Sequence, residues 1–195
     1  MRIEASFRSE ESFTQSGFRS WLDTLPPDAT GRFELLRGRI VVSPPTRARH
    51  GLVEVSVATI LNLHVRARGL GLVFGPSTGF ELPSGDTLQP DASFVSNARW
   101  KAADRPGLDD FLRVVPDLVV EILSPSSIER DRREKREIYE MNGVAEYWIV
   151  DPAERRLEIH VPFDGGFGDP LVLDRGAIRS TVLPGIDASV EDLFS

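Results

Sequence analysis

The stretch "VVPDLVVEILSPSS", Val114 to Ser127, constrains the fold most, because it sets one glutamate, Glu121, inside an apolar run. Val119, Val120, Ile122 and Leu123 are residues a buried strand uses. A carboxylate among them is costly to keep charged unless something specific pairs with it. Either Glu121 sits at the edge of the core, or it is kept there for a cation.

The rest of the chain supplies helices and further strands. "FTQSGFRSWLDTLP" spaces Phe13, Phe18, Trp21, Leu22 and Leu25 as a short amphipathic helix that Pro26-Pro27 stops. Turn residues at Gly31 and Gly38 frame a strand at Arg39–Ser43, and "HGLVEVSVATILNLHVRARG" reads as a largely buried helix ending at Gly69. "GLVFGPSTGFELP" and "TLQPDASFVS" have strand character, and "NARWKAADRPGLDD" reads as a polar connection. "SPSSIERDRREKREIYEMNG" is a helix, with Ser126 and Glu129 as a capping box and Asn142-Gly143 as its left-handed stop. "AEYWIVDPAERRLEIHV" is a hairpin, read as exposed, and "LPGIDASVEDLF" ends in one helical turn. Helices on a mixed sheet make this an α/β or α+β sandwich rather than a bundle or a barrel.

At 195 residues the chain suits one domain, with residues 1–12 read as a flexible N-terminus and 13–195 as the domain. A 41% hydrophobic and 27% charged composition excludes wholesale disorder. With no cysteine there is no thiolate nucleophile or thiolate metal site, which fits a reducing cytoplasm. The N-terminus has no apolar core of a signal peptide, and no run approaches the roughly 20 apolar residues that span a bilayer. A net charge of −7 argues against a generic nucleic-acid coat, but not against a nuclease that gathers carboxylates at one site.

If Glu121 holds a divalent ion it needs a second carboxylate, and two Pro-Asp pairs offer one. Asp117 lies four positions earlier on the same strand, about 13 Å away at about 3.3 Å per residue. Two oxygens each about 2.1 Å from one magnesium cannot be so far apart. Asp117 therefore reads as a residue that opens the strand. Asp91 lies on another strand, and directly opposed side chains of paired strands come to about 5 Å, so Asp91 is the better partner. Leu123, two residues beyond Glu121 on its face, cannot supply the cation a hydrolytic site wants near the attacking water. Asp131, Lys135 and Tyr139 recur at helical spacing on the next helix, which could fold back and aim Lys135 at the metal. The run "ERDRREKRE" reads equally as a solvated face.

An aspartate on one strand, a glutamate on the next and a lysine nearby resemble the PD-(D/E)xK superfamily of restriction-endonuclease-like nucleases. More narrowly, "QPDASFV", "PDLVVEILSPSS", the lysine-and-tyrosine helix and "NGVAEYWIVDP", in that order, resemble the bacterial Uma-two family. "ELLRGRIVVSPP" and "LPGIDASVEDLF" extend the resemblance from about Phe13 to the C-terminus. It implies a mixed central sheet flanked by helices and Mg²⁺- or Mn²⁺-dependent hydrolysis of DNA phosphodiester bonds. It assigns Asp91 and Glu121 as catalytic metal ligands, the backbone carbonyl of Ile122 as a third ligand and Lys135 as the catalytic lysine. Glu54 stands as a possible accessory glutamate on the first long helix. The chain departs from the superfamily's E-x-K where Leu123 stands for lysine. By analogy with restriction enzymes the protein would be a homodimer, with the hairpin as an interface. The competing readings are an inactive module that keeps the fold and binds nucleic acid or protein, and a hydrolase of another phosphoester.

Other motifs carry less. His50, His64 and His160 lack the H-E-x-x-H spacing and read as ordinary surface or half-buried histidines, with His50 near the start of the first long helix. Gly69, Gly71 and Gly75 miss the dinucleotide fingerprint by one position, and no G-x-S-x-G occurs. For DNA contact, "NARWKAADR" interleaves Arg99, Lys101 and Arg105 with Trp100, and Arg47 and Arg49 precede the first long helix.

Overall fold

The turn read at Gly38 closes the first hairpin. Strand β2 (Arg32–Leu36) pairs antiparallel with β3 (Arg39–Ser43) so that Leu36 faces Arg39. Arg37 and Gly38 between them carry φ of 49° and 74°, the left-handed pair that matches the twist of a two-residue hairpin. Upstream, α1 (Gln15–Leu22) starts at Thr14, whose Oγ1 accepts from the Gly17 amide at 3.1 Å. The computed structural model describes residues 7–103 and 110–195, so Arg105 lies outside the described residues. Within the stretch read as loose, Phe7–Arg8 form β1 and pair with Val42 and Val41.

Helix α2 (Ala48–Arg68) follows, ended by Gly69 in the left-handed conformation. Next come β4 (Gly71–Phe74), β5 (Phe80–Glu81), β6 (Thr87–Leu88) and β7 (Ala92–Ser96). The connection read as polar contains α3 (Asn97–Ala102), capped by Ser96. Then β8 (Leu118–Ile122) leads to a π-helical stretch, Arg130–Lys135, that runs into α4 (Arg136–Met141). The expected capping box does not form: Ser127 supplies the carbonyl that accepts from the Asp131 amide, and Glu129 pairs with Arg133 at 2.8 Å. The Asn142-Gly143 stop does form, with Gly143 at φ 74° and the Val144 amide bonded back to the Tyr139 carbonyl. Strands β9 (Glu146–Asp151) and β10 (Arg156–His160), the small pair β11 (Pro162–Phe163) and β12 (Gly166–Phe167), β13 (Leu171–Leu173) and a 3₁₀ turn at Glu191–Phe194 complete the chain.

The strands make a six-stranded sheet, β13-β10-β9-β8-β7-β4, and a five-stranded one, β1-β3-β2-β6-β5. In the larger sheet only β8 and β9 are parallel. Its two faces sort the residues of β8. Leu118, Val120 and Ile122 join the cluster built on Val53, Val57, Leu61 and Val65 of α2. Val119 and Leu123 join the opposite cluster, which reaches Ile138 and Tyr139 of α4 and Leu36 and Val41 of the smaller sheet. By the two-residue period of a strand, Glu121 faces this second cluster.

Three expectations change. Helix α2 is not largely buried: Leu52, Val55 and Leu63 are 66–70% exposed, because only one side of the helix meets the sheet. The hairpin of β9 and β10 is not an exposed surface, since both strands are interior to the sheet and nearly all their residues are buried. All three histidines are buried, not surface or half-buried. No helix among the described residues is long and apolar enough to cross a membrane.

Burial makes His160 an acid-sensitive point. It packs on the rings of Tyr147 and Phe167 beside Arg136, and burial followed by the Arg136 charge pushes its pKa down to about 4. The unfolded chain, with histidine near its ordinary value of about 6.5, takes up the proton first. This contribution is therefore complete above the unfolded value and lost as pH falls toward 4. Urea unfolding should show about 2 kcal/mol lost through this group between pH 7 and 5. His160→Gln should lose correspondingly less over that range, and equal losses in both proteins would refute the assignment.

Candidate active site

The pairing of β7 with β8 sets Ala92 opposite Val120. One step further, where the ladder ends at Pro90-Asp91, the same register sets Asp91 opposite Glu121. Asp91 takes over the pairing with its side chain: Oδ2 accepts from the Ile122 amide at 2.6 Å. Both acids are about 1% exposed. Asp117 is the structural residue expected, accepting from the Ser96 amide at 2.6 Å and pairing with Arg99 Nε at 3.1 Å.

Helical residues close over Glu121. Lys135 Nζ lies 2.9 Å from Glu121 Oε1, and the Tyr139 hydroxyl donates to the same oxygen at 2.7 Å. Asp131, Lys135 and Tyr139 do share a face, and that face is buried rather than solvated. The π-helical turn holds both Asp131 and Lys135 inward, with Lys135 Nζ 3.9 Å from Asp131 Oδ1.

Two further residues come from β2. Glu34, fully buried, pairs with Lys135 Nζ at 2.9 Å and accepts from the Gln89 amide at 2.9 Å, both through Oε1. Its Oε2 is buried with no hydrogen-bond partner. Arg32, two residues earlier on the same strand face, donates to Asp91 Oδ1 and places Nη1 3.9 Å from Glu121 Oε2. Arg32 thus spans the two acids. At the start of α2, His50 lies 3.3 Å from Asp91 Oδ2 and 3.4 Å from Glu54 Oε2.

Four buried carboxylates, Glu34, Asp91, Glu121 and Asp131, face three buried or half-buried cations, Arg32, Arg130 and Lys135. Burial would raise Asp91, but the Arg32 charge and the His50 hydrogen bond outweigh it and hold Asp91 well below the usual carboxylate range. Glu34 is lowered for a similar reason, burial being outweighed by Lys135 and Arg32. Burial pushes the Glu121 carboxyl up to about 8, with Lys135 pulling against it and Asp131, Asp91 and Glu34 adding repulsion. Burial opposes the charge on Lys135, yet Glu121, Glu34 and Asp131 keep it above its ordinary value. Burial and the Asp91 charge raise Glu54, and burial raises Asp131. For His50, burial lowers and Asp91 raises, with a net rise.

The candidate DNA-contact residues separate. Arg47 and Arg49 are exposed beside His50 at the start of α2. Helix α3, with Arg99, Trp100 and Lys101, begins at the other end of β7, whose last residue, Ser96, is five residues and about 17 Å from Asp91. Arg99 donates to the carbonyls of Val115, Pro116 and Gly143, and Trp100 packs on Phe74 at 5.8 Å. Lys101 is exposed.

A mixed sheet flanked by helices is the restriction-endonuclease-like architecture. The Uma2 family model, described as "Putative restriction endonuclease", matches residues 20–191, and the chain belongs to that family. Among solved structures, one described as a "putative nuclease belonging to DUF820" from Anabaena variabilis superposes with a TM-score of 0.74. That match has 18% sequence identity and covers 93% of this chain and 97% of the other. No curated protein sequence matches.

Sequence reasoning missed Arg32, Glu34 and His50. Glu34 carried a readable signal, an acid in the short apolar run "FELL" that poses the same question as Glu121. His50 and Glu54 stand four residues apart, the spacing that puts two side chains on one helix face.

Removing the ammonium alone should be costly. Lys135→Met leaves Glu34 and Glu121 buried without their cation and should destabilise the fold by about 3–5 kcal/mol in urea unfolding. Adding Glu34→Gln and Glu121→Gln should restore most of that loss. A single variant as stable as the parent protein would show that the three groups are not coupled.

Proposed function

We propose that this family member is a divalent-metal-dependent endonuclease that hydrolyses DNA phosphodiester bonds. The observation that carries this reading is the Asp91–Glu121 pair, set face to face across β7 and β8 and already bridged by the guanidinium of Arg32. The donor set fits a hard divalent ion, because both side chains offer oxygens and the buried acids outnumber the buried cations. Asp91, Glu121 and the Ile122 carbonyl would hold it. Bound there, Mg²⁺ or Mn²⁺ would supply Lewis-acid polarisation of a phosphate oxygen and a water of lowered pKa.

The protein groups set the rest. Lys135 and Tyr139 both bond Oε1 of Glu121, which leaves Oε2 toward Arg32. Lys135 thus fixes the glutamate and places a positive charge where charge on the phosphate develops. Arg32, whose side chain is 18% exposed, is the cation of the site that a phosphate meets first. Arg47 and Arg49 give the approaching DNA strand exposed positive charge on the same flank. The superfamily's strand lysine is replaced in function by Lys135, which favours an active enzyme over an inactive binding module. A homodimer in the cytoplasm completes this reading by analogy with restriction enzymes.

Nicking of supercoiled plasmid in Mn²⁺ or Mg²⁺ tests it. Asp91→Asn and Glu121→Gln, both near-isosteric, should lower the rate more than about a hundredfold, beyond what loss of an outer-shell partner does, with circular dichroism unchanged. EDTA should stop the parent protein. If either variant nicks at the parent rate, the site assignment is wrong.

A further inference from the structure

The segment that carries Lys135 is rich in arginine, and all but one of those arginines are engaged. Arg132 donates to Glu158 at 2.7 Å, Arg133 pairs with Glu129 at 2.8 Å, and Arg136 donates to the Phe167 carbonyl at 2.5 Å. Arg130, which opens the π-helical stretch, is the exception. Its Nε is buried with no hydrogen-bond partner among the described residues, and the carboxylate beside it, Asp131, stays at 3.8 Å. A guanidinium carries five donors and keeps its charge at any ordinary pH. Donors held out of water without an acceptor are costly, so this one is short of an anion.

Its neighbours place it at the mouth of the site. Burial opposes the charge on Glu34, and Lys135, Arg32 and Arg130 together hold that carboxylate down. Glu134 is lowered first by its hydrogen bond from Arg8, with burial opposing and the charges of Arg37 and Arg130 adding. Arg130 thus stands between buried Glu34 and partly exposed Glu134, where the helical segment meets the smaller sheet. Its side chain is 16% exposed and that of Arg32 is 18%, against 1% for Lys135. Neither acid satisfies it. Both oxygens of Glu134 are taken by Arg8, and Glu34 gives Arg130 charge but no hydrogen bond.

We propose that Arg130 is a phosphate-binding residue that, with Arg32, takes the backbone of the substrate strand at the mouth of the candidate active site. It rests on the nuclease reading for the identity of that strand, whereas the contact itself requires only a phosphodiester anion. A guanidinium fork matches two phosphate oxygens, and a phosphate brings the acceptors that no neighbouring side chain supplies. The exposed Arg47 and Arg49 at the start of α2 are joined in this way by a contact carried on the Lys135 segment itself. The rival account is structural: Arg130 closes on Asp131 and only balances the buried acids.

Fluorescence anisotropy of a short labelled DNA duplex of mixed sequence, titrated in EDTA over a series of KCl concentrations, decides between them. Arg130→Gln should weaken binding about tenfold at low salt, the size of one charge-assisted contact. It should also lower the slope of log K against log salt by about 0.9, the share of one phosphate. Arg130→Lys should recover that slope, because it keeps the charge. Arg133→Gln removes the same charge from the same segment at a residue already paired with Glu129, and should leave affinity and slope as in the parent protein. Melting temperatures check folding, and Arg130→Leu, which keeps the apolar stem, repeats the test should Arg130→Gln not fold. If neither folds, the structural account stands and the proposal is overturned. It is equally overturned if the parent protein binds no DNA, if the folded variant keeps the parent slope, or if Arg133→Gln lowers that slope as much. Cleavage is read separately, on the parent protein in Mn²⁺. Binding that depends on Arg130 with no DNA cut removes the nuclease reading and leaves the contact, whereas DNA cut with binding untouched by Arg130→Gln removes the contact and leaves the nuclease.

Discussion

Lys135 stands between two glutamates from different sheets, 2.9 Å from Glu34 on β2 and 2.9 Å from Glu121 on β8. None of the three side chains is more than 2% exposed. In so dry a setting each charge is tolerated only because of the others, so the contact ties the smaller sheet to the larger one through α4. Apolar packing between the sheets supplies affinity without direction, since Leu36, Val41, Val119 and Ile149 would tolerate small displacements. The ammonium does not, because moving it away from either carboxylate leaves an unpaired buried charge. The network therefore fixes how the layers meet, and the candidate site lies at that meeting.

The same geometry orients the chemistry. Each acid is bonded through one oxygen by the scaffold. Ile122 holds Asp91 by Oδ2, and Lys135 and Tyr139 hold Glu121 by Oε1. Arg32 occupies the space between, touching Asp91 Oδ1 and lying 3.9 Å from Glu121 Oε2. Burial, with repulsion from Asp131, Asp91 and Glu34, pushes the Glu121 carboxyl up against the pull of Lys135. On the proposed reading a divalent cation would offset that repulsion, which is the physical sense in which the donor set and the ion match.

What the sequence disclosed follows the range of the interactions. Strand period and pairing distance were enough to choose Asp91 over Asp117 as the partner of Glu121, because both rules act within one or two strands. Helix periodicity grouped Asp131, Lys135 and Tyr139, and the Asn142-Gly143 stop was legible because left-handed backbone has a local chemical signature. Whether that helical face was buried was not legible, since the answer comes from Glu34, 101 positions earlier on another sheet. The capping box failed for a related reason: the chain enters this helix through a turn in which the Ser127 carbonyl already accepts the Asp131 amide. Burial of α2 was overestimated because its sequence is apolar nearly all round, and only tertiary packing shows that Leu52, Val55 and Leu63 face outward.

The missing strand lysine now has a physical account. A lysine at position 123 would share the face of Glu121, and Leu123 there is 6% exposed and packed in the cluster that joins α4 to the sheets. With leucine in that place the strand keeps an apolar contact, and on the proposed nuclease reading the ammonium comes from the helix instead. That relocation makes the charge of the site depend on the docking of α4, through a π-helical turn that sets Asp131 and Lys135 on the inner side together. A lysine carried on the strand would be present however the helix packed. One carried on the helical segment meets both glutamates only where that segment is docked against the two sheets.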